Sequence, residues 1–193
     1  MKTMSDLGQR ACCFTGHRPQ KLSFGYDEAH PACIELKKQL RDGIEAKIRG
    51  GCISFITGMA MGPDIWCAEM VLACRQKFSD LQVTLMAVIP YKNQPSSFPV
   101  SYQRRYADIL LNADRVVCIS EKYMPGCMHR RNKYMVDNAG CVIAVFSGAE
   151  GGTQDTLRYA QKKGLDIVGF HPDTAQRIHI PAQLQFEMEK KEQ

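Results

Sequence analysis

The architecture of the chain follows from three consecutive segments: MHRRNKYM at residues 128–135, CVIAVF at 141–146 and GAEGGT at 148–153. The first segment has helical character and carries arginines, the second is wholly apolar, and the third is a glycine-rich turn. A short apolar run bounded by turns is typical of a parallel strand that is covered on both faces. The turn leads into a helix predicted over residues 154–163, with Thr153 as its N-cap. These segments therefore predict a helix–strand–turn–helix unit.

Alternating strands and helices continue through the rest of the chain. Short apolar runs predict further strands at residues 11–15, 52–57, 82–89, 115–120 and 165–170. Apolar residues at helical spacing predict helices at residues 31–49, 63–78 and 100–112. Such alternation forms a mostly parallel sheet with helices on both faces. We therefore predict a single doubly wound α/β domain over residues 1–172, and a tail, residues 173–193, that forms a short helix or frays.

The bulk composition indicates an ordinary soluble domain. The chain has 193 residues, of which 45% are hydrophobic and 23% charged, and its formal net charge is +5. Residues 1–10 lack the apolar segment of a signal peptide, and no apolar run is long enough to span a membrane. We expect a cytoplasmic protein with no membrane partner, and the composition leaves a homo-oligomer open.

The nine cysteines indicate reduced thiols rather than a disulfide framework. Most lie within apolar runs or on predicted helix faces, where cysteine acts as a small buried residue. Cys127 and His129 come nearest to a pair of metal ligands, and no second pair accompanies them. We therefore predict no metal site and no disulfide.

The turn after the strand at residues 141–146 predicts an anion site. Gly151, Gly152 and Thr153 lie where this strand meets a helix N-terminus, and free backbone N–H groups and the helix dipole both favour phosphate there. Arg131, on the preceding helix, is the candidate cation. The alternatives are that the glycines only build a tight turn and that Arg131 is a solvated charge on a helix face.

Further candidates lie on other turns at the same predicted edge, because the carboxyl ends of parallel strands meet at one edge of a sheet. The turns after the first two strands carry Gly16, His17 and Arg18, and Gly58, Gly62 and Asp64. Arg18 is suited to phosphate, whereas His17 either contacts a base or caps a neighbouring backbone group. Arg104 and Arg105 are expected to be solvated, and Trp66 is expected in the core.

Two common nucleotide fingerprints are missing from the chain. It lacks G-x-G-x-x-G after the first strand, and it lacks G-x-x-x-x-G-K-S/T altogether. These absences argue against a standard dinucleotide-binding fold and against a P-loop ATPase. We therefore predict a phosphate-binding edge with no bound cofactor.

The motifs at residues 128–135 and 151–153 resemble those of the lysine decarboxylase-like LOG proteins. Those are phosphoribohydrolases with an M-H-x-R-K-x-x-M helix and a P-G-G-x-G-T turn. They belong to the SLOG superfamily of Rossmann-like nucleotide-binding domains, which also includes the DNA-processing protein DprA. Together with residues 14–19 and 58–64, the motifs resemble the YpsA/YoqJ-like bacterial branch, which largely lacks an assigned activity. The resemblance implies a Rossmann-like fold, a phosphate-cradling last turn and a catalytic role for Arg131.

The chain departs from the phosphoribohydrolase pattern at several positions. Asn132 stands where the pattern has lysine, and Ser147 stands where it has the proline that opens the turn. The two glutamates after the turn are replaced by Asp155 and Thr156, so the position of the catalytic glutamate holds a threonine. Asp64, at the start of a predicted helix on this edge, and Glu121, at the end of a predicted strand there, are the candidates for a substitute catalytic carboxylate.

Three functions remain open at this point. The first is a sensor or binding module for a nucleotide or nucleotide-derived small molecule, held at the carboxyl edge of the sheet. The second is a nucleoside-monophosphate N-glycosidase, with Arg131 and Asp64 as candidate catalytic residues. The third is a DprA-like binder of single-stranded DNA. Nucleic acid is not favoured as a partner, because the sequence has no dense basic stripe interleaved with aromatic residues.

Overall fold

A computed structural model gives the structure of the protein over residues 10–180. In this part of the chain the strands β1–β7 are Ala11–Gly16, Ser54–Thr57, Thr84–Ile89, Arg115–Cys118, Cys141–Val145, Asp166–Phe170 and Arg177–His179. The helices α1–α5 are Pro31–Arg49, Pro63–Lys77, Val100–Asn112, Cys127–Asp137 and Gly152–Lys162. Two short 3-10 turns, Pro19–Lys21 and Gln94–Ser97, lie in the connections.

The strands form one sheet in the order β4-β3-β2-β1-β5-β6-β7. Neighbouring strands are parallel, except that β7 is antiparallel to β6. The chain builds outward from β1 to β4 and then returns to the other side of β1, so strand order reverses between β1 and β5. Cys12 lies opposite Cys141 and Gly16 lies opposite Val145 across this junction. The order confirms the predicted doubly wound, mostly parallel sheet.

Helices cover both faces of this sheet. On one face, α1, α2 and α3 bury a core that includes Phe14, Phe55 and Trp66, so the prediction for Trp66 is confirmed. On the other face, α4 and α5 pack against Val142 and Ala144. Burial on both faces explains why the central strands are almost entirely apolar. Within residues 10–180, no helix is both long enough and apolar enough to cross a membrane.

Several predicted boundaries differ from the structure. The second and third strands begin two residues later than predicted, at Ser54 and Thr84. Helix α5 begins at Gly152 with Gly151 as its N-cap, so the prediction of Thr153 as N-cap is wrong. Strand β7 lies in the predicted tail; it is only three residues long and is defined by pairing with β6 rather than by its own pattern. The remainder of the predicted tail, residues 181–193, lies outside the described residues.

The expectation that Arg105 is solvated is also wrong. Its guanidinium donates to both carboxylate oxygens of Glu69, at 2.6 and 2.7 Å, and pairs with Glu28 as well. Glu28 also accepts hydrogen bonds from Trp66 and Tyr102, at 2.8 and 2.9 Å. Sequence spacing did not reveal this network because Glu28 lies in the connection between β1 and α1, far along the chain from its partners.

Candidate ligand site at the reversal of strand order

A cavity of about 360 Å³ lies at the carboxyl edge of the sheet, where strand order reverses between β1 and β5. Its wall is formed by the turn after β1, the region around the start of α2, one side of α4 and the start of α5. The volume falls within the range of small-molecule pockets. Open α/β sheets bind their ligands at this position. We therefore take this cavity as the candidate ligand site.

The amino-terminal end of α5 forms one wall through Gly151, Gly152 and Thr153. Gly151 has φ of 134° and ψ of −168°, a conformation that is essentially restricted to glycine. No side chain caps the helix, and the first N–H groups of any helix lack intrahelical partners. The helix dipole adds positive potential at the same end. This wall is therefore suited to an anion.

Two exposed basic residues, Arg18 and Lys21, border the cavity on the side of β1. Lys21 Nζ donates a hydrogen bond to the carbonyl oxygen of Glu150 at 3.1 Å, which holds the ammonium group beside the α5 turn. Sequence analysis predicted Arg18 but missed Lys21. The available signal was Pro19, which comes shortly after β1 and starts the 3-10 turn Pro19–Lys21, a turn that ends in a cation.

His17 is buried and contacts the turn after β5. Its Nε2 accepts a hydrogen bond from the backbone N–H of Ser147 at 3.2 Å and lies 3.0 Å from the hydroxyl oxygen of that residue. Burial and the nearby positive charge of Lys21 lower the pKa of His17, which favours the neutral ring that this acceptor role requires. Of the two interpretations offered for His17, the geometry matches the backbone cap, although the residue also borders the cavity.

Arg131 is not a solvated charge, because it lies under the cavity floor with only 5% of its surface exposed. One terminal nitrogen of the guanidinium donates to the carbonyl oxygen of Gly58 and lies 3.5 Å from Oδ2 of Asp64. The Nε of Arg131 has no hydrogen-bond partner among the described residues. The side chain therefore anchors the β2–α2 turn beneath the cavity.

Burial and mutual attraction have opposite effects on the pKa values of Asp64 and Arg131. Loss of solvation raises the pKa of Asp64, against the opposing influence of Arg131 and of the N–H of Ala60. Burial likewise lowers the pKa of Arg131, although Asp64 opposes this change. Both shifts have the sign expected when desolvation exceeds the Coulomb gain. Costly buried charges of this kind cluster at functional sites.

The glycines of the first two turns have packing roles. A Cβ at Gly16 would lie 2.7 Å from Cγ of Pro63, so glycine lets the end of β1 contact the start of α2. A Cβ at Gly58 would lie 2.6 Å from Cζ of Arg131, so this glycine makes room for the guanidinium. Gly16 borders the cavity, whereas Gly58 and Gly62 do not. The β2–α2 region borders the cavity through Ala60 and Asp64 instead.

The position that corresponds to the catalytic glutamate of the phosphoribohydrolases is occupied by Thr156 in α5. Thr156 is buried, donates to the carbonyl oxygen of Gly152 at 2.6 Å and accepts from the side chain of Asn132 at 2.8 Å. Its neighbour Asp155 is exposed. Asp64 is the carboxylate that borders the cavity, and it is paired with Arg131.

No metal centre is evident in the part of the chain that the structure describes. Residues 10–180 contain no group of three histidine, cysteine or carboxylate side chains arranged to hold a metal ion. Cys127, the nearest candidate from the sequence, is fully buried, whereas its neighbour His129 is exposed.

The fold and this site define a Rossmann-like α/β protein with a ligand cavity at the reversal of strand order. The chain belongs to the YpsA family, described as the YspA SLOG family, whose model matches residues 12–168. It is 28% identical over 162 residues to the uncharacterized SPbeta prophage-derived protein YoqJ of Bacillus subtilis, covering 75% of this chain and 92% of that one. A UPF0398 protein of Bacillus anthracis is 26% identical over 159 residues, with 81% and 85% coverage. The resemblance predicted from the motifs is confirmed.

One solved structure corrects an expectation about partners. The fold is similar to that of DNA processing protein A from Helicobacter pylori, with a TM-score of 0.56, 15% identity, and coverage of 86% of this chain and 67% of that one. DNA processing protein A is a protein with a single-stranded DNA binding mode. The prediction that disfavoured nucleic acid as a partner is therefore wrong, because the same fold serves a DNA-binding protein.

Proposed function

We propose that the protein binds a nucleotide or a nucleotide-derived small molecule in the cavity at the β1–β5 junction. The observation that carries the proposal is the meeting of an uncapped helix N-terminus with two cations, Arg18 and Lys21, at one cavity. Phosphate carries negative charge and several acceptor oxygens, and backbone N–H groups and basic side chains are the donors that recognise it. The ligand phosphate would lie at Gly152 and Thr153.

The rest of the cavity wall is better suited to binding a sugar and a base than to catalysing a reaction on them. Asp64 borders the cavity and provides an acceptor suited to hydroxyl groups of a ligand. Cleavage of an N-glycosidic bond would call for a free carboxylate, and Asp64 is already paired with Arg131. We therefore favour a sensor or binding module. The nine free thiols and the Bacillus relatives fit a bacterial, cytoplasmic protein.

The test is isothermal titration calorimetry with adenosine monophosphate, adenosine diphosphate, ADP-ribose and fragments of NAD. At least one of these should bind, and the double variant Arg18→Gln/Lys21→Gln should weaken binding by roughly tenfold or more, since a hydrogen bond to a charged group contributes about 1.5–3 kcal/mol. Lys38→Gln is the matched control, because Lys38 is an exposed lysine on α1 that does not border the cavity. Equal affinity in the double variant and the wild type would overturn the phosphate assignment.

A second candidate function, binding of single-stranded nucleic acid, is favoured by the fold that the chain shares with DNA processing protein A. Arg18 and Lys21 at the cavity and the exposed Arg130 on α4 would then contact successive phosphates. Fluorescence anisotropy with a labelled oligonucleotide at two salt concentrations tests this. A DNA binder should lose affinity with salt at a slope of about −0.7 per phosphate contacted. Affinity that is absent at low salt would remove this candidate.

A further inference from the structure

Three cysteines that the proposed function does not use lie together at the opposite, amino edge of the sheet. Cys12 on β1 is the direct partner of Cys141 on β5. Adjacent parallel strands lie about 4.8 Å apart, so side chains of such partners on one face are neighbours. Cys52, just before β2, packs in the same core cluster as both of them. Cys13 points to the other face and belongs to the other cluster.

Two of these thiols border a second cavity of about 660 Å³. Cys52 and Cys141 line it and each keeps 8% of its surface exposed, whereas Cys12 is fully buried behind them. Lys47 of α1 borders the same cavity and pairs with Asp166 at the start of β6. Small molecules of the size of a peroxide or an alkylating reagent therefore have a route to the thiols of Cys52 and Cys141, which lie in the same cluster.

The surroundings favour a thiolate on Cys141. The neighbouring thiols of Cys12 and Cys52, in that order of importance, lower the pKa of Cys141, and the positive charge of Lys47 acts in the same direction. In the structure the Cys141 thiol donates to the carbonyl oxygen of Ala11. Burial and the carboxylate of Asp166 oppose the change. Burial and the neighbouring Cys141 raise the pKa of Cys12, and Cys141 and burial raise the pKa of Cys52. In the structure these two thiols donate to the carbonyl oxygens of Cys13 and Ser54. The other charged residues that border this cavity are Arg10, Asp42 and Arg177.

We propose that Cys141 is a site of oxidation by hydroperoxides, reached through the cavity at the amino edge, and that Cys52 is its resolving thiol. With hydrogen peroxide, the thiolate of Cys141 attacks one oxygen, the O–O bond breaks, and the leaving hydroxide takes up a proton and departs as water; an alkyl hydroperoxide releases an alcohol in the same way. The sulfur is oxidised by two electrons to a sulfenic acid and the peroxide is reduced. The sulfur of Cys52 then attacks, an S–S bond forms as the S–O bond breaks, and the proton of Cys52 leaves with the second water.

This site is independent of the nucleotide proposal, because it lies at the other end of the strands and its test needs no nucleotide. Thiolate character and access decide which cysteines oxidise. Of the described cysteines outside the cluster, five are buried away from this cavity, and Cys118 is exposed. Cys118 therefore serves as a comparison within the same protein, because it is exposed to reagents but does not belong to the thiol cluster.

The test is peptide mapping by mass spectrometry after brief treatment of the native, reduced protein with hydrogen peroxide, with dimedone present to trap sulfenic acids. The expected product is a disulfide that joins Cys52 and Cys141. In Cys52→Ala the disulfide should be lost, and Cys141 should appear as the dimedone adduct. Cys13→Ala is the matched control, because Cys13 lies beside Cys12 on the other face, and it should leave the disulfide unchanged.

A rate measurement tests the electrostatic part of the site. Lys47→Met removes the cation next to Cys141, so the pH at which disulfide formation reaches half of its maximal rate should shift upward relative to the wild type. Two results from the wild-type protein alone would overturn the proposal. One is oxidation of Cys118 while Cys52 and Cys141 remain thiols. The other is a disulfide that joins Cys12 to Cys141, which would remove Cys52 as the resolving thiol.

Discussion

At the scale of single residues, the site depends on a glycine that makes room for an arginine. Gly58 has no side chain, and the guanidinium of Arg131 occupies that space while it bonds the Gly58 carbonyl and approaches Asp64. The pair is almost completely buried, so each member depends on the other for compensation of its charge. The cost of removing either one can therefore be predicted.

Arg131→Met should destabilise the protein by about 3–5 kcal/mol, because it leaves the buried Asp64 carboxylate without its cation. The loss should be smaller at low pH, where the carboxyl group takes up a proton. Adding Asp64→Asn should recover part of the stability, since the double variant has no buried charge. Urea unfolding measures all three, and Arg130→Met, on the exposed side of the same helix, is the control. Additive effects of the two substitutions would show that the pair is not coupled.

His17 gives a second prediction at this scale, for the pH dependence of stability. The folded-state pKa of His17 is lowered from 6.5, so below pH 6.5 the unfolded chain binds the proton more readily than the folded protein does. The contribution of His17 to the free energy of unfolding is therefore complete above pH 6.5, and it is lost as the pH falls towards the lowered pKa of the folded state. The free energy of unfolding should therefore fall as the pH is lowered from about 7.5 to about 5.5, and His17→Gln should make that fall smaller in denaturation measured at each pH. His129→Gln, an exposed histidine on α4, should not change it.

At the scale of elements, the start of α5 determines where an anion can bind. Gly151 adopts a conformation that residues with a Cβ avoid, whereas Gly152 is in the helix with open space around it. Gly151→Ala should cost about 1–3 kcal/mol of stability. Gly152→Ala should change it by less than about 0.5 kcal/mol. Chemical denaturation followed by circular dichroism compares the two variants, and equal stability would show that Gly151 is not held in that conformation.

The order of elements could be predicted from the sequence because apolar runs and helical spacing are local signals. The central strands are buried on both faces, so their runs stand out, and Pro63 and Pro31 each mark the start of a helix. Strand β7 could not be predicted, because its three residues are defined by their partner strand. The position of the candidate site at the carboxyl edge could also be predicted, because parallel strands all end on the same side of the sheet.

Side-chain environments could be predicted only in part. The burial of Arg131 has a local signal, since it lies one helical turn from Cys127 and from Met135, both of which are buried. The neighbouring charges of α4 obscured that signal. Arg105 has no such signal, because its contacts are with Glu28 and Glu69, which are distant along the chain. For Lys21 the only local signal is its proline-started turn, and its contact with Glu150 is equally distant. Tertiary packing alone brings these groups together.

At the scale of the whole molecule, the two ends of the sheet have different chemistry. The carboxyl edge holds a cavity with cations and a helix N-terminus, and the amino edge holds a larger cavity with a cluster of thiols. Parallel strands require this separation, since all their carboxyl ends lie on one side. Substitutions at one edge should therefore leave the other edge unchanged, which lets the two proposals be tested separately.

The arrangement of carboxylates also predicts what the molecule does not do efficiently. Glycosidic cleavage usually depends on a placed carboxylate, and Thr156 occupies the corresponding position here. Incubation with a panel of nucleoside monophosphates should therefore release no free base at a rate typical of enzymes, on the order of 10 per second. Chromatography detects the base. Turnover at that rate would contradict the expectation, and its loss in Asp64→Asn would then identify Asp64 as the substitute carboxylate.

The start of α5 should hold the phosphate of a nucleotide, and a crystal structure of the protein with adenosine monophosphate is the strongest test of that assignment. We expect the phosphate within hydrogen-bond distance of the backbone N–H groups of Gly152 and Thr153, with Arg18 or Lys21 in contact. A phosphate bound elsewhere on the molecule, with the β1–β5 cavity empty at a saturating concentration of the nucleotide, would contradict it.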